Sequence, residues 1–218
     1  MTLVRRLAVA ILAATVLFAT NAGAAPLLIS GGTSYTTLPP SPPGDWRGND
    51  VFPNEPGYVG AQLQFLGTAG KSYRFTFEFL DHEALWVDGL ETSAGDISNR
   101  SPSRTSVSLR WLATGGLDTV PFSFITGDDP AQRVRNGGNP FPTLGLPSFF
   151  LSVATPDGRH GTGLRSGSTI WLGLDDAGAG PDADFDDWVG TVRVPEPVSV
   201  ALLGTGVVAA AARRRRRR

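Results

Sequence analysis

The chain contains no cysteine. That excludes disulfides as a means of holding the fold, and it removes thiol nucleophiles and every thiolate metal site. Histidine is nearly as scarce, with His82 and His160 the only two in 218 residues. His82 stands in Leu80-Asp81-His82-Glu83, where it could serve as a metal ligand or base beside carboxylates; a surface position at a strand end is the bland alternative. No Gly-x-Ser-x-Gly elbow and no phosphate-binding loop is present. Residues 161–167 mimic a glycine-rich phosphate loop but lack the strand-then-helix context, so a plain loop is expected. No long stretch repeats apolar residues at helical spacing. The fold must be held by its core, or with help from a bound ion.

Basic charge is lacking where it would matter for nucleic acid. Eight of the 19 basic residues lie in the two end segments (Arg5, Arg6 and Arg213 to Arg218), against one of the 20 acidic residues, Glu196. The body, residues 25–194, keeps 11 basic and 19 acidic residues, a net charge near −8. A nucleic-acid surface needs clustered Lys and Arg to replace phosphate counterions, so no nucleic-acid partner is expected.

What is present begins with the ends. Arg5 and Arg6 precede an apolar stretch from Leu7 to Ala19, and small residues precede a cut after Ala24. This is the layout of a secretory signal peptide, residues 1–24, with an uncleaved anchor as the alternative. At the other end, residues 195–218 hold Pro195-Glu196-Pro197, a largely apolar run of 15 residues (198–212) and six arginines. The apolar run rises about 22 Å as a helix against a hydrocarbon core of about 30 Å. It can span only with snorkelling arginines or local thinning. Arginines stay cytoplasmic, which places the body across the membrane.

The body is long enough for one domain with a sizeable core. Residues 25–57 are expected as a proline-rich lead-in: 39–57 hold six prolines, which fix φ and remove backbone donors, pinned by Trp46 and Phe52. Beyond it the period is two. Tyr73, Phe75, Phe77 and Phe79 alternate with Arg74, Thr76 and Glu78, and Val59, Ala61, Leu63 and Phe65 alternate before them, with Gly67 to Gly70 as a hairpin turn. Further strands are expected at residues 84–87, 106–112, 120–125, 148–154, 169–174 and 187–194. Residues 131–147 are expected as a long surface loop. Some eight short strands with one apolar face each predict an all-β, jelly-roll-like antiparallel sandwich, with a closed barrel as competitor.

Six aspartates (Asp175, Asp176, Asp182, Asp184, Asp186 and Asp187) fall within 13 residues. In extended chain Asp182, Asp184 and Asp186 point to one side and Phe185 to the other, into a core. Such carboxylates repel one another unless a cation or hydrogen-bond donors intervene, and calcium is the natural oxygen-bound partner. The spacing is not that of an EF-hand. The alternative is a solvated acidic turn capping backbone N–H groups. The stretch resembles the D-x-D-[FY]-[ND]-D signature near the end of many secreted bacterial β-domains, including a calcium-associated one.

Of five tryptophans, Trp111 and Trp171 lie in apolar runs and suit a core, and Trp46 is the best candidate for a sugar-stacking platform. Asn99-Arg100-Ser101 fits a glycosylation acceptor, a tripeptide common by chance.

The C-terminal pattern of Val-Pro-Glu-Pro, apolar helix and terminal arginines resembles the PEP-CTERM sorting signal of Gram-negative bacteria. The resemblance implies an exosortase as processing partner, with Pro195, Glu196 and Pro197 as its recognition residues. It also implies an inner-membrane-anchored precursor with a periplasmic body, then a place at the cell surface or in the exopolysaccharide and biofilm matrix. The expected function is structural or adhesive and non-enzymatic. A carbohydrate-binding module holding extracellular polysaccharide is the alternative, and a polysaccharide hydrolase with two facing carboxylates a third.

Overall fold

A computed structural model describes residues 27–35, 56–84, 86–127, 129–143, 145–154, 166–176 and 185–194. Ala25–Val194 forms one compact unit. The expected signal peptide with Ala24, Pro195, Glu196 and Pro197, the C-terminal apolar segment and its arginines lie outside the described residues. So do Trp46, Phe52, His160, Asp182 and Asp184. No described helix is long and apolar enough to cross a membrane.

Among the described residues, thirteen strands run in chain order. They are β1 (Leu27–Tyr35), β2 (Gly57–Leu66), β3 (Ser72–Asp81), β4 (Gly89–Thr92), β5 (Gly95–Ser98), β6 (Ser106–Leu112) and β7 (Leu117–Thr119). After them come β8 (Ser123–Thr126), β9 (Asp129–Arg135), β10 (Ser148–Val153), β11 (Ser166–Gly167), β12 (Thr169–Asp175) and β13 (Trp188–Arg193). The large sheet has the order β11-β1-β2-β10-β12-β13-β3-β6, with β7 also on β2; the small sheet has the order β5-β4-β8-β9. All pairings are antiparallel.

The alternating residues of β3 do what their period dictates: Phe75, Phe77 and Phe79 are buried while Thr76 and Glu78 are half-exposed. They join Leu63 and Phe65 of β2, Leu172 and Leu174 of β12 and Trp188 of β13 in the main core. The small sheet contributes Leu90, Ile97, Phe124 and Val134 to that same core. Ring contacts cross between the sheets: Phe124 lies 5.3 Å from Trp188 and 5.7 Å from Phe149, and Phe122 of the β7–β8 connection lies 5.6 Å from Phe77. The Trp188 indole Nε1 donates to the Ile97 carbonyl at 3.1 Å, so its one polar atom is satisfied inside the core. Two antiparallel sheets thus face one another across a shared core, as in a sandwich.

The centre of the large sheet is buried on both faces. β10 is buried at every position. Its Phe150, with Val59, Val189 and Phe185, makes a second apolar cluster, against which Trp171 packs.

Several expectations are corrected. Gly67 to Gly70 is not the turn of a β2–β3 hairpin, because β10, β12 and β13 separate those strands. The segment does turn, Lys71 N–H donating to the Thr68 carbonyl, but it pairs with the β6–β7 corner instead: Gly70 N–H donates to the Ala113 carbonyl and Ala113 N–H to the Lys71 carbonyl. A Cβ on Gly67 would collide with Phe65 and Ala113. The chain thus carries β6 onward into β7, which returns to β2, and the large sheet acquires a partial, barrel-like closure that hides strand edges.

Residues 27–35 are not lead-in but strand β1, registered on β2 from Leu27↔Phe65 to Tyr35↔Gly57. Ala84, Trp86 and Val87 of the strand expected at residues 84–87 are not in a strand. The Trp86 carbonyl is taken by side chains, Asn99 Nδ2 at 2.9 Å and an Arg100 Nη at 3.2 Å, and pairing starts only at Gly89. The expected 131–147 loop begins as strand β9 on β8. Its continuation is tied inward by two asparagines that mimic strand rungs. Asn136 accepts from Leu63 N–H at 2.8 Å and donates to the Leu63 and Val120 carbonyls at 2.7 Å. Asn139 accepts from Phe149 N–H and donates to the Phe149 and Ala61 carbonyls.

Candidate metal centre

Three strand ends converge. Asp88 immediately precedes β4, Asp176 follows β12 and Asp187 precedes β13. Each offers a carboxylate oxygen, and these oxygens lie within 4.8 Å of one another.

The local chain explains the convergence. β12 and β13 are neighbours with Leu174 opposite Trp188, and Asp187 N–H extends the ladder by donating to the Leu174 carbonyl at 3.1 Å. The next rung uses a side chain: Asp176 N–H donates to Asp187 Oδ2 at 2.7 Å. Asn99, itself buried, brings in Asp88. Its backbone N–H donates to the Asp88 carbonyl at 2.7 Å, and its Nδ2 donates to Asp88 Oδ2 at 3.2 Å and the Asp187 carbonyl at 3.4 Å. This burial excludes Asn99 as a glycan acceptor. Gly127 N–H donates to the second Asp88 oxygen at 3.3 Å.

Electrostatics follow from that crowding. Burial pushes the Asp187 carboxyl up to about 10, and the negative charges of Asp176, Asp88 and Asp175 add to it, while the hydrogen bond from Asp176 N–H works the other way. Without a cation, Asp187 holds a proton at neutral pH. A divalent cation can replace that proton, because its charge lets all three carboxylates ionise together. Three carboxylate oxygens suit a hard, oxygen-bound ion such as calcium or magnesium.

The structure brings two of the six sequence-nominated aspartates, Asp176 and Asp187, into this group. Asp175 and Asp186 are both buried yet do not belong to it. Asp175 lies in β12 opposite Ser148 and acts on Asp187 through its charge; the Asp186 carbonyl accepts from Glu83 N–H at 2.9 Å. The expected extended run ending at Asp186 is broken at Phe185, whose φ is +67°. Phe185 is buried as expected, but in the second cluster rather than the main core. Asp88 was missed because Asp88-Gly89 reads as a turn. Its signal is an acid at the end of an apolar-aromatic segment, Ala84 to Val87. His82 is not in the group; its ring stacks on Phe79 at 6.1 Å and its backbone N–H donates to Asp81 Oδ1.

Among the described tryptophans Trp188 is fully buried, Trp111 and Trp171 are half-buried, and Trp86 is 62% exposed. The Trp86 indole lies over Gly127, whose added Cβ would come within 2.9 Å of the ring.

No curated protein and no solved structure matches the chain. Over residues 193–217 the chain carries the PEP-CTERM protein-sorting motif, which implies an exported protein addressed to an exosortase.

Proposed function

We propose that this is a non-catalytic structural or adhesive protein of the cell surface or extracellular matrix. An exosortase recognises it at Pro195, Glu196 and Pro197, and one calcium ion at Asp88, Asp176 and Asp187 steadies it. The observation that carries the reading is the sorting motif and its position relative to the fold. Val194 is buried, and its N–H still donates to the Ser168 carbonyl at 3.2 Å. Pro195 is the next residue, so removal of the motif from Pro195 onward takes away no residue of the paired strands.

Three of the described acids outside the cluster are held in structural contacts, which fits a structural use for them. Glu78 pairs with Arg104 at 2.9 Å and faces Arg193 at 3.8 Å, and Glu91 pairs with Arg133. Asp118 accepts from both the N–H and hydroxyl of Thr114, which hold its carboxyl below the usual range. Calcium is favoured over magnesium because a site built from strand ends and turns is adaptable, and calcium accepts irregular oxygen geometry.

Intact-mass measurement of the protein from its producing cells tests the sorting assignment. The expected product ends near Pro197, and Glu196→Ala leaves the arginines attached. Wild-type protein that retains its arginine tail would sink the assignment.

A further inference from the structure

Across the small sheet the register aligns Asp96, Glu91, Ser123 and Arg135 in one row, one residue per strand. Their chain neighbours Leu90, Ile97, Phe124 and Val134 are the side chains sent into the shared core, so the row lies on the opposite face. Adjacent members of such a row stand about 4.8 Å apart.

Glu91, Ser123 and Arg135 line an open surface cavity of about 570 Å³, walled by Thr92 at the end of β4, by Thr119 of β7 and by Pro121. The volume falls within the range of small-molecule sites, about 300 to 1,000 Å³. Its chemistry is specific. The hydroxyls of Thr119 and Ser123 can each donate and accept, whereas that of Thr92 donates to the Gly95 carbonyl and accepts from Ala94 N–H. The Glu91 charge is met by Arg133, both of whose terminal nitrogens donate to it. Arg135 is exposed, and no ion pair of the described residues engages it. Arg135 is therefore the charge of the cavity lining that has no ion-pair partner, while the face as a whole, with Asp96, Glu91 and Arg133, is balanced.

We propose that this cavity binds a carboxylate-bearing saccharide. Its carboxylate takes the Arg135 guanidinium, whose planar fork matches two oxygens at once. Its ring hydroxyls meet Ser123 and Thr119 and donate to the Glu91 carboxylate, while its C–H face lies on Pro121. A plain aliphatic acid would satisfy Arg135 but leave the row of hydroxyls covered and unpaired, which costs binding energy. A neutral sugar would leave the guanidinium desolvated without a partner. The ligand class with both features is the uronate type.

The test is calorimetric titration of the full chain in detergent micelles with trigalacturonate and with galactotriose. A chelator is present, so that no cation at the Asp88 cluster can bridge the ligand. Trigalacturonate is expected to bind at least roughly 10-fold more tightly than galactotriose. Arg135→Gln should weaken trigalacturonate roughly 10- to 100-fold and leave galactotriose unchanged. Thr119→Val should weaken both, and Arg110→Gln, on β6 and outside the cavity, neither. Unchanged melting temperatures show that the variants fold. No trigalacturonate binding at millimolar concentration, equal affinity for the two sugars, or full affinity in Arg135→Gln would overturn the proposal.

Discussion

Replacing Asp187 by Asn is the most informative single change at the carboxylate cluster. The amide keeps the shape and can still accept the hydrogen bond from Asp176 N–H, but it cannot ionise. In the wild type without a cation, the folded state holds a proton on Asp187 that the unfolded chain, with its ordinary carboxyl near 3.8, has lost at neutral pH. A carboxyl raised on folding contributes stability that is fully present below 3.8 and is lost as pH rises toward about 10. Each pH unit in that window costs about 1.4 kcal/mol. At about pH 7 the accumulated loss has a ceiling of about 4 kcal/mol, whatever the folded value, provided it lies above 7. The side chain is partly exposed and shares charge with Asp88 and Asp176, so about 2 kcal/mol is the working figure.

The assay is denaturant unfolding of wild type and Asp187→Asn in chelator, from about pH 5 to pH 9 at constant ionic strength. The wild type is expected to fall relative to the variant as pH rises, by about 2 kcal/mol across the first two to three units. Comparing the two proteins cancels the titration of groups such as Asp118, whose lowered carboxyl gives the opposite slope in acid. Calcium should then reverse the order. At about one hundred times its dissociation constant it adds about 2.7 kcal/mol to the wild type, a rise of roughly 5 to 10 °C for a unit of this size, and adds little to Asp187→Asn or Asp88→Asn. Calcium uptake should also release a proton. Parallel pH profiles for the two proteins would refute the proton on Asp187. Equal melting of wild type with and without calcium would refute the metal.

Trp188→Ala removes the largest fully buried side chain, its ring contacts with Phe79 and Phe124 and the indole bond to Ile97; a loss of about 3 to 5 kcal/mol in urea unfolding is expected. Asn136→Leu strips the amide that stands in for a strand opposite Leu63 and Val120. About 3 kcal/mol should be lost, with faster amide exchange at Leu63 by NMR and little change at β13.

The parts of the fold that were legible in the sequence are those where one strand's own pattern decides its state. β3 alternates aromatic and polar residues, and β10 and β12 are apolar runs bounded by turns, so each declares itself without knowledge of its partners. β1 does not: Gly31 and Gly32 break its apolar pattern, both at φ +67°, and only pairing with β2 makes it a strand. In β9 the buried Val134 stands between Arg133 and Arg135 with no apolar alternation around it, and the strand is held by β8. The false β2–β3 hairpin has the same origin. The turn is local and real, whereas the choice of neighbour is made by the whole sheet.

The carboxylate cluster shows why sequence proximity was a poor guide to ligand membership. Asp175 and Asp187 flank the ends of adjacent strands, and the period of two sends Asp175 inward while Asp176, one residue later, reaches the strand ends. Density of aspartates along the chain therefore overstates the group, and the third carboxylate comes from the other sheet. Asn99 is what makes that possible. It sits 11 residues from Asp88 and 88 from Asp187, and it binds both. A buried amide donating to a carboxylate and to two carbonyls fixes the separation of the strand ends before any ion arrives. The cluster is thus preorganised by hydrogen bonds, and the proposed cation would have only to replace the proton that crowding forces onto Asp187. On this argument an ion adds stability without reshaping the fold, which suits a domain that has no disulfide to rely on once it has been exported.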